Sequence, residues 1–232
     1  MDNTLVDVGT AHRQGLHAAL TTVYGLEGRH GGPKHAGNTQ PNILRMLLRS
    51  QGVRDNVIEA RLAEASRVHA ETTIRLLAED LRPAILPGVV PLLEALKRDG
   101  HICAVVTGTV SATARTILER SRLMPYFCAY AFGDEGAERI DLLHLAISRA
   151  VLQCGWSADS QRIVVIGDAP ADIQAGQALG ARVVAVATGF ADVDLLAEYN
   201  PDVILESLTD LQATLEAITG CLVGPGGLSE TC

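Results

Sequence analysis

The chain has 232 residues and 47% apolar side chains, enough to bury a sizeable core. Its formal net charge of -8 and 3% aromatic content disfavour nucleic acid, because such ligands need cationic grooves and stacking platforms. There is no stretch resembling a signal peptide and no apolar run near the ~20 residues of a membrane span, so we expect neither a nucleic-acid nor a membrane partner.

The cysteines give a further expectation about the compartment. There are five of them, an odd number, and they lack the close spacing of a zinc site or a redox dithiol. This pattern favours a reduced, cytoplasmic protein. The five positions are Cys103, Cys128, Cys154, Cys221 and Cys232.

The first predicted elements along the chain are helical. Apolar periodicity predicts helices over 12–24, 40–51 and 57–78, and Gly31-Gly32-Pro33 predicts a loop between the first two. Thr39 directly precedes the second helix, where it either caps the helix or faces a substrate. Residues 11–80 contain no convincing strand, and we therefore interpret them as a helical insertion that returns through a proline-containing linker.

Beyond the linker, short apolar runs alternate with helical patterns. The predicted strands cover 101–106, 162–166, 181–187 and, more weakly, 202–205. The predicted helices cover 89–98, 111–120, 141–153 and 171–179. This alternation predicts an α/β fold with a doubly wound parallel sheet. We assign residues 1–10 and 81–218 to this core, 11–80 to the insertion and 219–232 to a flexible, glycine-rich tail.

Polar and charged residues follow several of these strands. The chain opens Met1-Asp2-Asn3-Thr4, Thr107 ends the strand at 101–106, and Gly167-Asp168 ends the next, with Asp172 four residues later. Arg139 precedes the helix between them. Because the carboxyl ends of parallel strands share one sheet edge, we expect these side chains to meet there.

This order of landmarks resembles the haloacid dehalogenase (HAD) superfamily. The family pattern runs Asp-x-Asp-x-Thr, then Thr or Ser at a strand end, then Lys or Arg, then Gly-Asp-x-x-x-Asp, and the likeness extends to about residue 210. Residues 36–44 also look like the Gly-x-Thr-Asp-Pro segment of phosphoglycolate-phosphatase-like members. The resemblance implies a HAD-like Rossmannoid core with an inserted helical cap.

The resemblance also implies roles for individual residues. Asp2 matches the general acid and base, and its backbone carbonyl should contact a metal ion. Asp168 matches the metal-binding carboxylate and Asp172 its support, a set of oxygen ligands suited to Mg²⁺. Thr107 and the amide of Gly108 should bind the phosphoryl group.

Arg139 stands where the commonest family pattern has lysine. A guanidinium can neutralise both the phosphate and the nucleophile, and we expect Arg139 to do so. The competing interpretation is a solvated surface charge. For Asp168 and Thr107 the competing interpretations are an ordinary turn residue and an ordinary strand-end residue.

One family residue has no counterpart in these 232 residues. The nucleophilic aspartate of the family stands two positions before the acid aspartate, which places it one residue ahead of Met1. In the family it ends an apolar strand in the middle of the sheet, between those that end here at Thr107 and Asp168. We expect either that the true start lies upstream and restores both, or that the chain is made as shown and lacks phosphoaspartate chemistry.

The function implied by the resemblance is a Mg²⁺-dependent phosphatase acting through an aspartyl phosphate. Its substrate would be a small phosphorylated metabolite, a phosphoglycolate-like monoester, and the chain as it stands is expected to be inactive. Two alternatives stay open. One is a non-catalytic binding or regulatory protein on the same fold. The other is a 2-haloacid dehalogenase, although those enzymes lack the aspartate at the position of Asp2.

Overall fold

The computed structural model describes residues 1–27, 35–157 and 163–220. Three sequence expectations fall outside these ranges. They are the loop at Gly31-Gly32-Pro33, the first residue of the strand predicted at 162–166, and the tail from residue 221 onward.

Three helices follow the opening turn of the chain. They are α1 (Gly9–Tyr24), α2 (Gln40–Ser50) and α3 (Asp55–Leu76), which agree with the predicted helices to within about three residues at every boundary. They pack around a core of their own, whose fully buried members include Leu20, Leu44, Leu48 and Ile58. The helical periodicity of this region was therefore interpreted correctly.

Helices α1 and α3 approach closely at Gly15. A Cβ atom built there would lie 2.2 Å from the Thr73 hydroxyl and 2.8 Å from the His69 carbonyl oxygen. Any side chain would force the two helices apart, because atoms in a packed interior cannot approach to that distance. Gly15 thus sets the spacing at which residues on the facing sides of α1 and α3 meet.

The rest of the described chain alternates helices and strands. The order is α4 (Val89–Arg98), β1 (Ala104–Val106), α5 (Ser111–Arg120), β2 (Ala129–Ala131), α6 (Arg139–Cys154), β3 (Val164–Gly167), α7 (Pro170–Ala178), β4 (Arg182–Val186), α8 (Val193–Ala197), β5 (Val203–Leu205) and α9 (Leu211–Thr219). The predicted α/β class is confirmed. Strand β2 and helices α8 and α9 were not predicted. Among the described helices, none combines the length and apolar character needed to cross a bilayer.

The five strands form two parallel sheets. Strands β1 and β2 pair with Val105 opposite Tyr130, and the second sheet has the order β3-β4-β5 with Ile166 opposite Val184. The parallel pairing agrees with the prediction, and β1 and β3 share no ladder in the described ranges. A cavity of about 230 Å³ lies between them, lined by Met1 and by residues of both strands.

The cap helices and the core meet at the loop after β1. The backbone N–H of Gln40, the first residue of α2, donates to the Gly108 carbonyl at 2.7 Å. A Cβ atom on Gly108 would lie 2.0 Å from the Asn38 carbonyl oxygen, so only glycine permits this contact. The start of α2 is therefore held directly over the carboxyl end of β1.

Two cysteines that are far apart in sequence form a disulfide. Cys128 immediately precedes β2, Cys154 ends α6, and their Cα atoms are 6.1 Å apart. The expectation of a reduced protein does not hold for this pair, because the packing of α6 against β2 brings together residues separated by 26 positions. Cys103 is free and partly buried.

Candidate active site

The predicted site residues all line one cavity. It has a volume of about 200 Å³ and lies beyond the carboxyl ends of β1 and β3, where an open α/β sheet binds its ligands. Its walls include the six residues to which the family resemblance gave a role, namely Asp2, Thr107, Gly108, Arg139, Asp168 and Asp172. The structure thus brings together side chains that are up to 170 positions apart in the chain.

Asp2 is held by three side chains. Its Oδ2 accepts hydrogen bonds from the hydroxyls of Thr109 at 2.8 Å and Thr107 at 3.3 Å, and its Oδ1 lies 3.1 Å from His12 Nε2. Burial opposes ionisation, but the charge and hydrogen bond of His12, the N-terminal amine and Thr109 outweigh it and hold the pKa of Asp2 well below its usual value. Asp2 is therefore ionised at neutral pH, and in this form its carboxylate can accept a proton.

A tight turn places Asp2 in this position. Asn3 has a φ of 57°, in the left-handed region, and its backbone N–H donates to the Val6 carbonyl at 2.8 Å. Asparagine tolerates this conformation better than most residues. The hydroxyl of Thr188, just after β4, donates to the Asn3 carbonyl and ties the turn to the second sheet.

Asp168 follows β3 and is only 6% exposed. Thr4 donates a hydrogen bond of 2.6 Å to its Oδ1. Burial and the nearby charge of Asp172 raise the pKa of Asp168 to about 6, against the opposing influence of the N-terminal amine, Thr4 and Arg139. A Cβ atom on Gly189 would lie 2.0 Å from Asp168 Oδ2, so glycine is needed beside this carboxylate.

Arg139 and Asp172 form an ion pair on the cavity wall. Arg139 is the first residue of α6 and Asp172 lies in the first turn of α7. The Arg139 Nε donates to Asp172 Oδ1 at 2.8 Å, and the two side chains are 12% and 5% exposed. Arg139 is thus not a solvated surface charge.

Thr107 is buried at the end of β1. Its backbone N–H donates to the Ala131 carbonyl at 3.0 Å, and its hydroxyl accepts from the Thr109 backbone N–H at 3.1 Å. With its hydroxyl also donating to Asp2, Thr107 links the first sheet to the opening turn of the chain. The interpretation as an ordinary strand-end threonine does not account for that contact.

The carboxylates suit a hard divalent cation, although no complete metal cluster is preformed. Among the described residues, no group of three His, Cys, Asp or Glu side chains is arranged to hold a metal ion. Burial of Asp168 and its repulsion by the nearby carboxylate of Asp172 nevertheless raise the pKa of Asp168. A cation with oxygen ligands would relieve that repulsion, so the residues present fit Mg²⁺.

Sequence reasoning missed two histidines of this site. His12 was not singled out from the sequence, yet it contacts Asp2, and its ring stacks on that of His69 with centroids 5.6 Å apart. Both line the cavity. His12 could have been found, because it lies one turn into α1 and faces back toward the loop that carries Asp2.

Thr39 serves neither of its two predicted roles in the expected way. It occupies the N-cap position of α2, but its side chain makes no capping hydrogen bond there. The Thr39 hydroxyl instead donates to the Ala137 carbonyl at 3.3 Å. The next residue, Gln40, is the one that lines the cavity.

Curated proteins similar to this chain include several phosphoglycolate phosphatases. The one from Agrobacterium fabrum is 32% identical over 132 residues, which are 56% of this chain and 54% of that protein. A plasmid-encoded phosphoglycolate phosphatase of Cupriavidus necator is 29% identical over 181 residues, 77% of this chain and 74% of that protein. The match to the first of these spans only about half of the relative's length.

Solved structures and a family profile agree with this likeness. A β-phosphoglucomutase from Clostridium difficile superimposes with a TM-score of 0.77 at 15% identity, covering 94% of each chain. A hydrolase from Pseudomonas syringae gives a TM-score of 0.70 at 24% identity, covering 94% of this chain and 95% of that one. At these identities the likeness shows the fold. The profile of the haloacid dehalogenase-like hydrolases matches residues 1–180, and the chain belongs to that family.

Proposed function

We propose that this protein is a Mg²⁺-dependent phosphatase of a small organic phosphate monoester. The observation that carries the proposal is the meeting of Asp2, Thr107, Arg139 and the Asp168–Asp172 pair around one cavity. The names of the relatives support the reaction class and make phosphoglycolate the first ester to test. The cytoplasm, expected from the sequence, stays the proposed location.

The chain supplies groups for each side of a phosphoryl group. Thr107 and the amide of Gly108 would donate to its oxygens, and Arg139 would offset its charge. Asp168, the backbone carbonyl of Asp2 and, directly or through water, Asp172 would hold the metal ion. Bound Mg²⁺ supplies further neutralisation of the phosphoryl oxygens.

Asp2 is suited to move protons during the reaction. In the proposed route Asp2 takes up a proton before the ester is cleaved and donates it to the leaving alkoxide. The carboxylate that results then removes a proton from the water that hydrolyses an aspartyl phosphate. His12, Thr107 and Thr109 fix the direction of its carboxyl group. A positioned acid and base of this kind contributes about 10²–10⁴-fold to a rate.

The proposed nucleophile is a carboxylate two residues before Asp2. That position precedes Met1. The Met1 amine lies near enough to Asp2 and Asp168 for its positive charge to favour the ionised form of both carboxyl groups, although burial still raises the pKa of Asp168 overall. A carboxylate attached there would lie beside the acid and base and the metal-binding carboxylate. We expect the 232-residue chain by itself to bind phosphate and Mg²⁺ without turning over esters.

The proposed division of the chain assigns the three helices of 11–80 to a cap and residues 1–10 and 81–218 to the core. Cap residues His12, Gln40 and His69 line the cavity from one side, and core residues line it from the other. Closure of such a cap excludes water and selects the leaving group.

The test compares two proteins. One is the 232-residue chain, and the other carries an added apolar strand that ends in Asp immediately before Met1. Both are assayed on a panel of phosphate esters, including phosphoglycolate, with Mg²⁺ and with EDTA. The proposal expects Mg²⁺-dependent phosphate release by the extended protein, lost again on Asp2→Asn.

Other outcomes point elsewhere. If the extended protein is inactive on every ester, the phosphatase proposal is wrong and a non-catalytic role gains support. Halide release from 2-haloacids without metal would instead indicate a dehalogenase.

A further inference from the structure

On the cap side of the cavity, two buried polar atoms have no hydrogen-bond partner among the residues that the structure describes. They are the Gln40 Oε1 and the His69 Nδ1, and both residues are only 5% exposed. An unpaired buried polar group costs about 1–3 kcal/mol, so such atoms call for an explanation. Both residues line the same cavity as Asp2 and Asp168.

The neighbouring contacts fix the chemistry of the Gln40 amide. Its Nε2 donates to the Ser66 carbonyl on α3 at 3.4 Å. The opposite orientation of the amide would put two oxygens against each other, so Oε1 is the unpaired atom, and it can only accept a hydrogen bond. Ser66 and His69 are three residues apart on α3, which places them on the same face of that helix.

His69 presents a neutral ring at this place. Burial and the charge of His12 lower its pKa to about 3, against the opposing effects of a hydrogen bond to the His12 backbone and of Asp2. In a neutral imidazole, Nδ1 is either a donor or an acceptor, depending on the tautomer. A hydroxyl group can satisfy it in both cases because a hydroxyl donates and accepts.

We propose that Gln40 and His69 form a specificity site for a hydroxyl group on the leaving alcohol of the substrate. The substrate class is then a phosphate monoester of a polyol or sugar, with at least one free hydroxyl beside the phosphoester. This inference rests on the proposed function, since the phosphoryl end must lie at Asp168 and Thr107 for the alcohol to face the cap. A carboxylate in the same place would have no hydrogen to give to Gln40.

The third unpaired buried atom supplies a control. The hydroxyl of Thr113, on α5, is also buried and has no partner within the described part of the chain, but Thr113 does not line the cavity. Thr113→Val removes an unpaired atom of the same kind without touching the proposed specificity site.

The experiment measures binding to the 232-residue chain in Mg²⁺ by calorimetry. The matched probes are glycerol 3-phosphate and propyl phosphate, which differ in the two hydroxyls, together with 2-phosphoglycolate and inorganic phosphate. We expect glycerol 3-phosphate to bind ~10-fold tighter than propyl phosphate, because it pairs two buried polar atoms. Gln40→Met and His69→Phe should each remove most of that preference, whereas Thr113→Val should leave it unchanged.

The outcomes separate the two proposals. His69→Asn, which keeps a polar atom near the position of Nδ1, should restore part of the preference and exclude a merely structural effect of the phenylalanine. If glycerol 3-phosphate and propyl phosphate bind with equal affinity and inorganic phosphate still binds, this inference is wrong and the proposed function stands. No binding of any probe, inorganic phosphate included, overturns both.

Discussion

The Arg139 guanidinium donates to Asp172 Oδ1 from its Nε at 2.8 Å, although the two residues lie in the first turns of different helices and are 33 positions apart. The pair is almost fully buried, and Asp172 in turn raises the pKa of Asp168. The positive charge of Arg139 therefore offsets part of the negative charge of Asp168 and Asp172. Its removal should affect both stability and the charge of the site.

We expect Arg139→Met to lower the free energy of unfolding by about 3–5 kcal/mol, because it leaves a buried carboxylate without its partner. Urea denaturation of Arg139→Met, Asp172→Asn and the double variant measures the coupling between the two side chains. The double variant should lose less than the sum of the single losses. Strict additivity would show that the pair does not interact in solution.

Asp168→Asn should raise the free energy of unfolding in the absence of Mg²⁺. The substitution keeps the acceptor for Thr4 and removes the repulsion between Asp168 and Asp172, so a gain of about 1 kcal/mol is expected. The same variant should lose the rise in melting temperature that Mg²⁺ gives the wild type, since ligand binding stabilises the folded state.

The control for this substitution is Asp194→Asn, on the exposed surface of α8. It removes the same charge from the chain at a residue that does not line the cavity, and it should retain the Mg²⁺ response. Retention of that response by Asp168→Asn would exclude Asp168 as a metal ligand.

His69 should make the stability depend on pH. Its pKa is about 3 in the folded state and 6.5 in the unfolded chain, so the unfolded chain binds more protons between these values. Stability is therefore complete above pH 6.5 and falls as pH decreases through that window, by about 2 kcal/mol at pH 5. In His69→Phe this loss should be absent.

Urea unfolding of the wild type and of His69→Phe at pH 7.5 and pH 5.0 isolates this contribution. Asp168, with its raised pKa, acts in the opposite direction over part of the same range, and it is present in both proteins. The difference between the two proteins therefore reports His69 alone. An equal loss of stability in both would mean that His69 is protonated in the folded state.

Local patterns in the sequence were sufficient to place most elements. Helices α4 and α5 were predicted with the bounds that the structure has, because their apolar residues recur with helical spacing. Strand β2 was missed, since Ala-Tyr-Ala is short and alanine has little preference for strands. The meeting of Thr107 and Asp168 could be foreseen from topology alone, as both follow parallel strands.

Contacts that depend on how helices pack could not be foreseen in the same way. The His12–His69 stack requires the close approach of α1 and α3 at Gly15, and nothing local to any of the three residues indicates it. The unpaired Oε1 of Gln40 likewise depends on where Ser66 lies on another helix. Such features follow from tertiary structure. The substrate preference proposed from them could therefore not be predicted from the sequence.

The disulfide between Cys128 and Cys154 joins the start of β2 to the end of α6, the helix whose first residue is Arg139. It closes a loop with a sequence separation of 26, and in the chain-entropy account a loop of this length stabilises the fold by about 3.5 kcal/mol. We expect Cys128→Ser with Cys154→Ser to lower the free energy of unfolding by about that amount. Cys103→Ser, which changes a free thiol, is the matched control.

Peptide mapping without reductant checks the bond itself. A peptide pair linked through Cys128 and Cys154 is expected, and it should separate after reduction. The same mapping is done on protein purified with and without reductant. The comparison matters because glutathione keeps most cytoplasmic thiols reduced, so the bond need not be present in a cytoplasmic protein. If both thiols are alkylated without reduction, the bond is absent, and the double serine variant should then be as stable as the wild type.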